Sequence, residues 1–253
     1  MRWRDSALLI VILLAAWQLL YFAVGDVALS SPARTFQAAA RMLGDARFWP
    51  HTRETLLAFC QAFAIALAIG LAIGLTLGAS RLTGEVAEPL LVALYSIPKV
   101  TLYPVILLVF GIGMPAKVAF GAIHGIVPIS LFAMNAIRDI SPVHLRTARV
   151  LRLSPSETAT KILLRAALPE IVTGIRVGFS LTLIGTLLGE MFGAQRGLGF
   201  LLMQAMSLHE MERIMSLTLL LVIFAATVNA GLLALERRLS PSAGLSDGPL
   251  ARG

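Results

Sequence analysis

The sequence predicts an all-α, polytopic membrane protein with about six transmembrane helices and one long polar loop. Of its 253 residues, 57% are hydrophobic and only 14% are charged, whereas a soluble domain is nearer half apolar and a quarter charged. The mean hydropathy is +0.83, and the apolar excess lies in runs of about 20 residues, the length that a helix needs to cross the hydrocarbon core. This composition excludes a soluble enzyme and a disordered or nucleic-acid-coating protein.

Six segments are apolar and long enough to be candidate spans. The first follows Arg2 and Arg4, but its apolar run of about 18 residues exceeds the core of about 7 to 15 residues that is typical of a secretory signal. We therefore expect a retained helix, and an even number of spans places both termini on one side. The candidate spans are residues 6–24, 55–79, 89–110, 116–137, 171–192 and 214–235.

The net charge of +7 is interpreted as a topology signal, because Lys and Arg concentrate in the cytoplasmic loops of membrane proteins. With a cytoplasmic N-terminus, most basic residues fall on the cytoplasmic side, although four arginines lie in the first outer loop. We expect both termini in the cytoplasm, and no nucleic-acid partner. Cys60 is the only cysteine, so neither an intramolecular disulfide nor a cysteine-based metal cluster is possible.

Glycines recur at four-residue spacing within three of the spans. Such stripes let helices approach closely in lipid, and two interpretations stay open: packing within one chain or a dimerisation seam. The glycines are Gly70, Gly74 and Gly78, then Gly121 and Gly125, then Gly185, Gly189 and Gly193.

Prolines interrupt the third and fourth spans at Pro98, Pro104 and Pro128. A proline at membrane depth leaves backbone carbonyls that neighbours or a water-lined path must satisfy. Broken helices are common where a solute crosses, and proline kinks without such a role are also common.

Ionisable groups in or beside the spans are few, namely Lys99, His124 and Glu190. A charge at the centre of the bilayer costs about 2.5 to 3.5 kcal/mol on insertion scales, so such a group is expected to be functional or paired. For Lys99 we keep two hypotheses, a pore or gate residue and a member of a buried pair. Glu190 lies near the outer end of its span, where a structural role is favoured. The predicted translocation path or gate comprises Pro98, Lys99, Pro104 and Glu190.

A segment of about 33 residues, 138–170, separates the fourth span from the fifth, although a helical bundle needs only short connections. Ser141-Pro142 places a capping hydroxyl and a first-turn proline before one helix, and Ser154-Pro155-Ser156-Glu157 forms a capping box before another. We expect two short cytoplasmic helices, the second ended by Pro169. Their basic residues either fix the topology or belong to a docking element.

The sequence lacks the nucleotide-binding and catalytic motifs that were sought. It contains no G-x-x-x-x-G-K-[ST] phosphate cradle, no H-E-x-x-H and no G-x-S-x-G, and its four histidines are scattered. We expect no enzyme activity, no cofactor and no metal site.

Five segments carry a resemblance to a known family by their order and spacing. They are Leu94-Tyr95-Ser96-Ile97-Pro98-Lys99, Tyr103-Pro104, Phe110-Gly111-Ile112-Gly113, Gly189-Glu190-Met191-Phe192-Gly193 and Gly197-Leu198-Gly199.

With the long loop, these segments resemble the permease subunits of bacterial ABC importers, closest to the sulfonate, taurine and nitrate branch. The resemblance implies a single permease domain over 1–253 in the inner membrane and a homodimeric pore. It also implies cytoplasmic ATPase subunits that bind the ATP, and a periplasmic binding protein that delivers a sulfonate, taurine, nitrate, bicarbonate or vitamin-precursor solute.

The family's signature in the long loop is an E-A-A triplet, three residues, a glycine, nine residues and then I-x-L-P. Ala148, Ile162 and Leu164 keep this pattern. Arg152 replaces the glycine, so a left-handed turn there would cost about 1 to 2 kcal/mol. The ATPase-coupling residues that the resemblance implies are Arg146, Thr147, Ala148, Arg149, Arg152, Ile162, Leu164 and Arg165.

A secondary transporter driven by an ion gradient is the alternative function. In that case Lys99 and Glu190 would be the coupling groups. It is the weaker hypothesis because the sequence shows no internal repeat that pairs broken helices.

Overall fold

The computed structural model describes residues 3–25 and 28–239, which form helices and no strand. The helices are α1 (Trp3–Val24), α2 (Pro32–Gly44), α3 (Phe48–Gly78), α4 (Arg81–Ser96), α5 (Tyr103–Phe110), α6 (Met114–Arg138), α7 (Pro142–Val150), α8 (Pro155–Glu157), α9 (Leu164–Gly193), α10 (Leu198–Ser207) and α11 (Met211–Leu239), with a 3₁₀ turn at Lys99–Leu102 and a π-helical segment at Thr158–Leu163.

Four segments are long and apolar enough to cross a membrane, and they correspond to the second, fourth, fifth and sixth predicted spans. The third predicted span is a pair of helices bent by 80°, which makes a fifth crossing if the pair is counted as one. The first predicted span is α1, which packs against α2. The apolar stretch Leu8–Val24 of α1 is shorter than the other spans, and its crossing stays a prediction. The four long segments are Phe48–Gly78, Met114–Arg138, Thr160–Gly193 and Met211–Arg237.

The helices α6 and α9 form the centre of the bundle, and α3 packs against α6. Glycines make these contacts close. A Cβ at Gly70 would lie 2.8 Å from the Cβ of Ile129, and a Cβ at Gly121 would lie 2.9 Å from the Cβ of Ala62 and closer still to Thr186. The glycine stripes of the three spans thus serve packing within the chain.

The third predicted span, 89–110, is broken at Pro98, one of the prolines that interrupt it in the sequence. The ring of Pro98 disfavours helical backbone at the preceding residue, and Ile97 is extended, with φ −64° and ψ 130°. Pro104 lies in the first turn of α5, where a missing N–H costs nothing. The span therefore consists of α4, the 3₁₀ turn and α5.

The prediction that Pro169 ends a second loop helix is wrong. From α8 the chain continues through the π-helical segment into α9, and Pro169 lies inside α9. Ala167 and Ile171, on either side of Pro169, are buried against Ala133 and Ala136 of α6. This packing holds both halves of the helix in line and outweighs the cost of about 3 kcal/mol for an interior proline.

Candidate functional site

The helix α7 stands at one end of the bundle, which we call the loop end; the opposite end, where α10 lies, is the far end. Ser141 Oγ accepts a hydrogen bond from the backbone N–H of Val143 at 3.3 Å and so caps α7. The helix packs on the π-helical segment. Ala148 is 3% exposed, whereas Val150 is 81% exposed. One side of α7 is therefore anchored and the other is bare.

Arg152 adopts the left-handed conformation that ends α7, with φ 51°. The N–H of Leu153 donates to the carbonyl of Ala148 at 3.0 Å, which is the long hydrogen bond of a Schellman motif. The signature's glycine position therefore keeps the backbone conformation that favours glycine, although it carries an arginine.

The capping box predicted at Ser154 is present. Ser154 Oγ accepts from the N–H of Glu157 at 3.2 Å, and the Glu157 carboxylate accepts from the N–H of Ser154 at 3.1 Å. A hydrogen bond from Lys161, with those from Ser154, lowers the pKa of Glu157 to about 2. Its carboxylate therefore stays charged down to that pH.

The sequence-predicted coupling residues fall into two groups. Arg146, Ala148 and Arg152 lie on α7 or directly after it, and both arginines are exposed. Thr147 and Arg149 lie in α7, but their side chains are outside the part of the chain that the structure describes. The second group lies on the π-helical segment and the start of α9, where Ile162 is half-buried and the others are exposed. It comprises Ile162, Leu164 and Arg165.

Three of the four predicted path residues lie together at the break between α4 and α5. Pro98 precedes the 3₁₀ turn, Lys99 begins it, and Pro104 follows in α5. Lys99 Nζ donates to the carbonyl of Tyr95 at 3.0 Å and lies 5.2 Å from the centre of the Tyr95 ring. Among the described residues, Lys99 forms no ion pair.

Glu190, the fourth, lies instead in a buried polar cluster at the far end. Its carboxylate is 0% exposed and accepts from Thr55 Oγ1 at 2.8 Å and from the N–H of Gly199 at 2.9 Å. Lys117 Nζ, on a side chain that is 1% exposed, lies 3.6 Å from Glu190 Oε1 and 2.9 Å from Glu54 Oε1. One ammonium thus lies between two carboxylates.

Our sequence reasoning missed Lys117 and Glu54. Lys117 stands in the first turn of α6, inside the predicted span 116–137, and that position was the available signal. Its partner is 63 residues away in the chain, so no local pattern connects the two.

The glycines after α9 make room for this cluster. Gly197 has φ +130°, and a Cβ there would overlap the carboxylate of Glu190. A Cβ at Gly199 would lie 2.8 Å from the Cβ of Glu190. The Gly197-Leu198-Gly199 segment can therefore close over Glu190 only without side chains at both glycines.

Comparisons with known proteins agree with this architecture. The family described as "Binding-protein-dependent transport system inner membrane component" matches residues 64–244. The riboflavin transport system permease protein RibX of Chloroflexus aurantiacus is 35% identical over 228 residues, covering 88% of this chain and 85% of that protein. The taurine transport system permease protein TauC of Escherichia coli is 26% identical over 197 residues, covering 78% and 72%.

A solved structure has a similar fold. A chain of the MetNI methionine ABC transporter, in inward-facing conformations, superposes with a TM-score of 0.63 at 22% sequence identity. The match covers 74% of this chain and 93% of that chain.

Proposed function

Since this chain belongs to the family of inner-membrane components of binding-protein-dependent transport systems, we propose that it forms the translocation path of an ATP-driven importer and couples to its ATPase through α7. The family expected from the motifs is confirmed: the chain is a multi-pass ABC importer permease subunit of the inner membrane, and such subunits are not enzymes. In the proposed assembly the ATPase subunits bind the ATP, and this chain holds no cofactor.

The observation that carries the coupling role is the geometry of α7. The helix is capped at both ends and packs on the π-helical segment. On its outer side, Val150, Leu151 and Arg146 are exposed. Exposed apolar groups beside a cation are typical of a surface that a partner covers. The residues proposed for this contact are Arg146, Thr147, Ala148, Arg149, Arg152, Ile162, Leu164 and Arg165.

Transport requires two conformations whose balance the ATPase changes. A partner can shift such an equilibrium only if it binds one conformation more tightly than the other. The segment from α8 to α9 is continuous with a central span, so a movement imposed at the loop end is transmitted along α9 to the far end.

We propose that two copies of the chain form the pore. The α4 and α5 helices show a broad apolar face, in which Leu108 is 87% exposed and Val86 and Val105 are also exposed. Apolar exposure alone suits lipid as well, and the proposal of a second copy rests on the broken span that this face adjoins. The pore would be lined near the break by Pro98, Lys99 and Pro104.

The proposed solute class is that of the branch: a sulfonate, taurine, nitrate, bicarbonate or a vitamin precursor, delivered by a periplasmic binding protein. In the proposed assembly the α7 end and both termini face the cytoplasm, where the ATPase would bind. The ion-gradient alternative is not supported by family membership. Glu190, which it would use as a coupling group, is enclosed by Thr55, Lys117 and Gly199.

Gentle purification of the tagged chain tests the proposal. We expect a nucleotide-binding subunit to co-purify, ATP hydrolysis in the complex, and none in the rigorously separated chain. A Leu108→Cys variant in a Cys60→Ala background should give a chain-to-chain crosslink in the active assembly. Crosslinks only to a different permease would contradict the homodimer, and a chain that transports without any ATPase would contradict the function.

A further inference from the structure

An apolar groove runs along an exposed side of α3 at the far end of the bundle. Its volume is about 680 Å³. The lining contains one charged side chain, that of Arg53, and no carboxylate. Arg53, Leu57 and Cys60 recur at helical spacing, so the groove follows α3 from its polar start into its apolar part. The lining residues are Ala46, Trp49, Pro50, Thr52, Arg53, Leu56, Leu57 and Cys60.

The positive charge of Arg53 is not neutralised within the described part of the chain. Its side chain is exposed, and it forms no hydrogen bond or ion pair with another described residue. The carboxylates closest to it in the sequence have cations of their own, since Asp45 pairs with Arg47 and Glu54 pairs with Lys117. A guanidinium without a carboxylate is thus available at the mouth of the groove.

The mouth of the groove lies at the level where lipid headgroups are expected. The 31 residues of α3 give a length of about 46 Å, whereas the hydrocarbon core is about 30 Å thick. The polar residues 51–55 therefore lie at the interface, and the apolar run that begins at Leu56 enters the core. Trp49 is 52% exposed, and its indole N–H donates to the carbonyl of Leu43 at 3.1 Å. Such tryptophans are typical of the membrane interface.

A second apolar cavity adjoins the groove. Its volume is about 160 Å³, and it shares Trp49, Thr52 and Leu56 with the groove. Its other lining residues come from α2, α3, α9, α10 and α11, and all of them are apolar except Thr55, which contacts Glu190 instead. This space admits part of an acyl chain but not a helix, which is about 10 to 12 Å wide. The two spaces therefore suit a lipid better than a second copy of the chain.

From these features we infer that the far end binds a phospholipid with an anionic headgroup. Its phosphate contacts Arg53, and its acyl chains lie in the groove and against the adjoining cavity. A guanidinium matches a phosphate with two parallel hydrogen bonds, and a basic side chain near the membrane surface favours an anionic lipid by about fivefold. The site lies on α3, apart from the α4 and α5 face proposed for the second copy, and it does not depend on the proposed function.

A matched pair of brominated lipids tests the headgroup preference. In the full chain with Trp3→Phe and Trp17→Phe, Trp49 is the only tryptophan, and bromine quenches tryptophan fluorescence on contact. The chain is reconstituted in phosphatidylcholine vesicles that contain either phosphatidylglycerol or phosphatidylcholine with the same brominated acyl chains. We expect phosphatidylglycerol to associate with the Trp49 site about fivefold more strongly, and the preference to fall at high salt.

Variants of the same chain locate the site. Arg53→Gln should bring the ratio of the two association constants close to one, whereas Arg53→Lys should keep most of the preference because the charge remains. Cys60→Phe fills the groove without changing the charge and should also remove the preference. Arg81→Gln, which removes one positive charge from the exposed pair of Arg81 with Glu85 at the loop end, is the control and should keep the full preference.

Three results would overturn the lipid site. The first is equal quenching by the two brominated lipids, and the second is an undiminished preference in either Arg53→Gln or Cys60→Phe. The third concerns a second copy on this face: efficient oxidation of Cys60 to a disulfide between two chains, equally in vesicles with and without phosphatidylglycerol, would show that protein and not lipid covers the groove.

Discussion

At the scale of single residues, the least exposed charges among the described residues form one network at the far end. Lys117 and Glu190 come from α6 and α9, and Thr55 adds a hydroxyl from α3. The network thus ties three spans and the start of α10 together through Gly199. Because Glu190 contacts a residue from each of these elements, a structural role at the far end is favoured for it.

Removing one charge of this network should lower the free energy of unfolding more than removing two. Lys117→Met leaves two carboxylates without their cation, and such a break costs about 3 to 5 kcal/mol. The double variant Lys117→Met/Glu190→Gln should recover part of that loss. Reversible unfolding in mixed detergent micelles measures the free energy of unfolding of each variant. Lys161→Met, which removes an exposed ion pair, is the control. Equal losses in Lys117→Met and Lys161→Met would contradict the assignment.

A substitution at Arg152 is expected to stabilise the protein, unlike those in the buried network. Because its φ is 51°, Arg152→Gly should relieve about 1 kcal/mol of backbone strain and stabilise the end of α7. Hydrogen exchange of the Leu153 amide should then slow by about fivefold, since that amide closes the turn. Arg146→Gly, in the interior of the same helix, is the control and should speed exchange instead. Faster exchange in Arg152→Gly would show that the arginine side chain stabilises the turn.

At the scale of the helices, the spans could be predicted and their bends could not. The positions of the spans follow from the thickness of the bilayer, which the sequence must match with apolar residues. The effect of a proline depends on what packs around it: Pro98 lies at an exposed break, whereas Pro128 and Pro169 lie within helices that packing holds together. The cluster around Glu190 was equally out of reach, because Thr55 is 135 residues away.

Close packing between α3, α6 and α9 predicts a difference between two glycine variants. A Cβ at Gly121 would collide with Thr186 and Ala62, whereas a Cβ at Gly231 on α11 would meet nothing within 4 Å. Gly121→Ala should therefore destabilise the fold by about 1 to 3 kcal/mol. Gly231→Ala should be neutral or stabilising, because alanine favours helix. Parallel unfolding curves of the two variants check this, and similar stabilities would exclude the packing described.

At the scale of the whole molecule, the protein is a helical bundle with the capped helix α7 at the loop end and a buried polar network at the far end. The capping residues Ser141 and Ser154 correctly predicted helices that begin at these positions of the long loop, whereas the docking role of α7 stays a prediction. The polar network was not predicted, since it depends on contacts between distant spans. The two ends of the bundle are thus chemically different.

The proposed orientation predicts which end reacts from which side of the membrane. In a Cys60→Ala background, Val150→Cys at the loop end should react with a membrane-impermeant maleimide only after spheroplasts are opened. Gln195→Cys at the far end should react in intact spheroplasts. Both side chains are exposed. Labelling therefore depends only on the side of the membrane from which the reagent can reach each cysteine. The reverse pattern would place α7 outside and end the coupling proposal.

The most direct test of the central claim is charge reversal on α7 in the presence of the ATPase. Arg146 is exposed on the outer side of this helix, so the proposed contact predicts an acidic groove on the ATPase. A like charge set against such a groove costs several kcal/mol. Arg146→Glu should therefore abolish co-purification of the ATPase subunit, and an acid-to-base change in the ATPase groove should partly restore it. Arg237→Glu, on an exposed residue at the same end of the bundle, should leave co-purification unchanged. Two results would contradict the assignment of α7 as the contact with the ATPase: normal assembly of the Arg146→Glu chain, or loss of assembly that the paired change in the ATPase does not rescue.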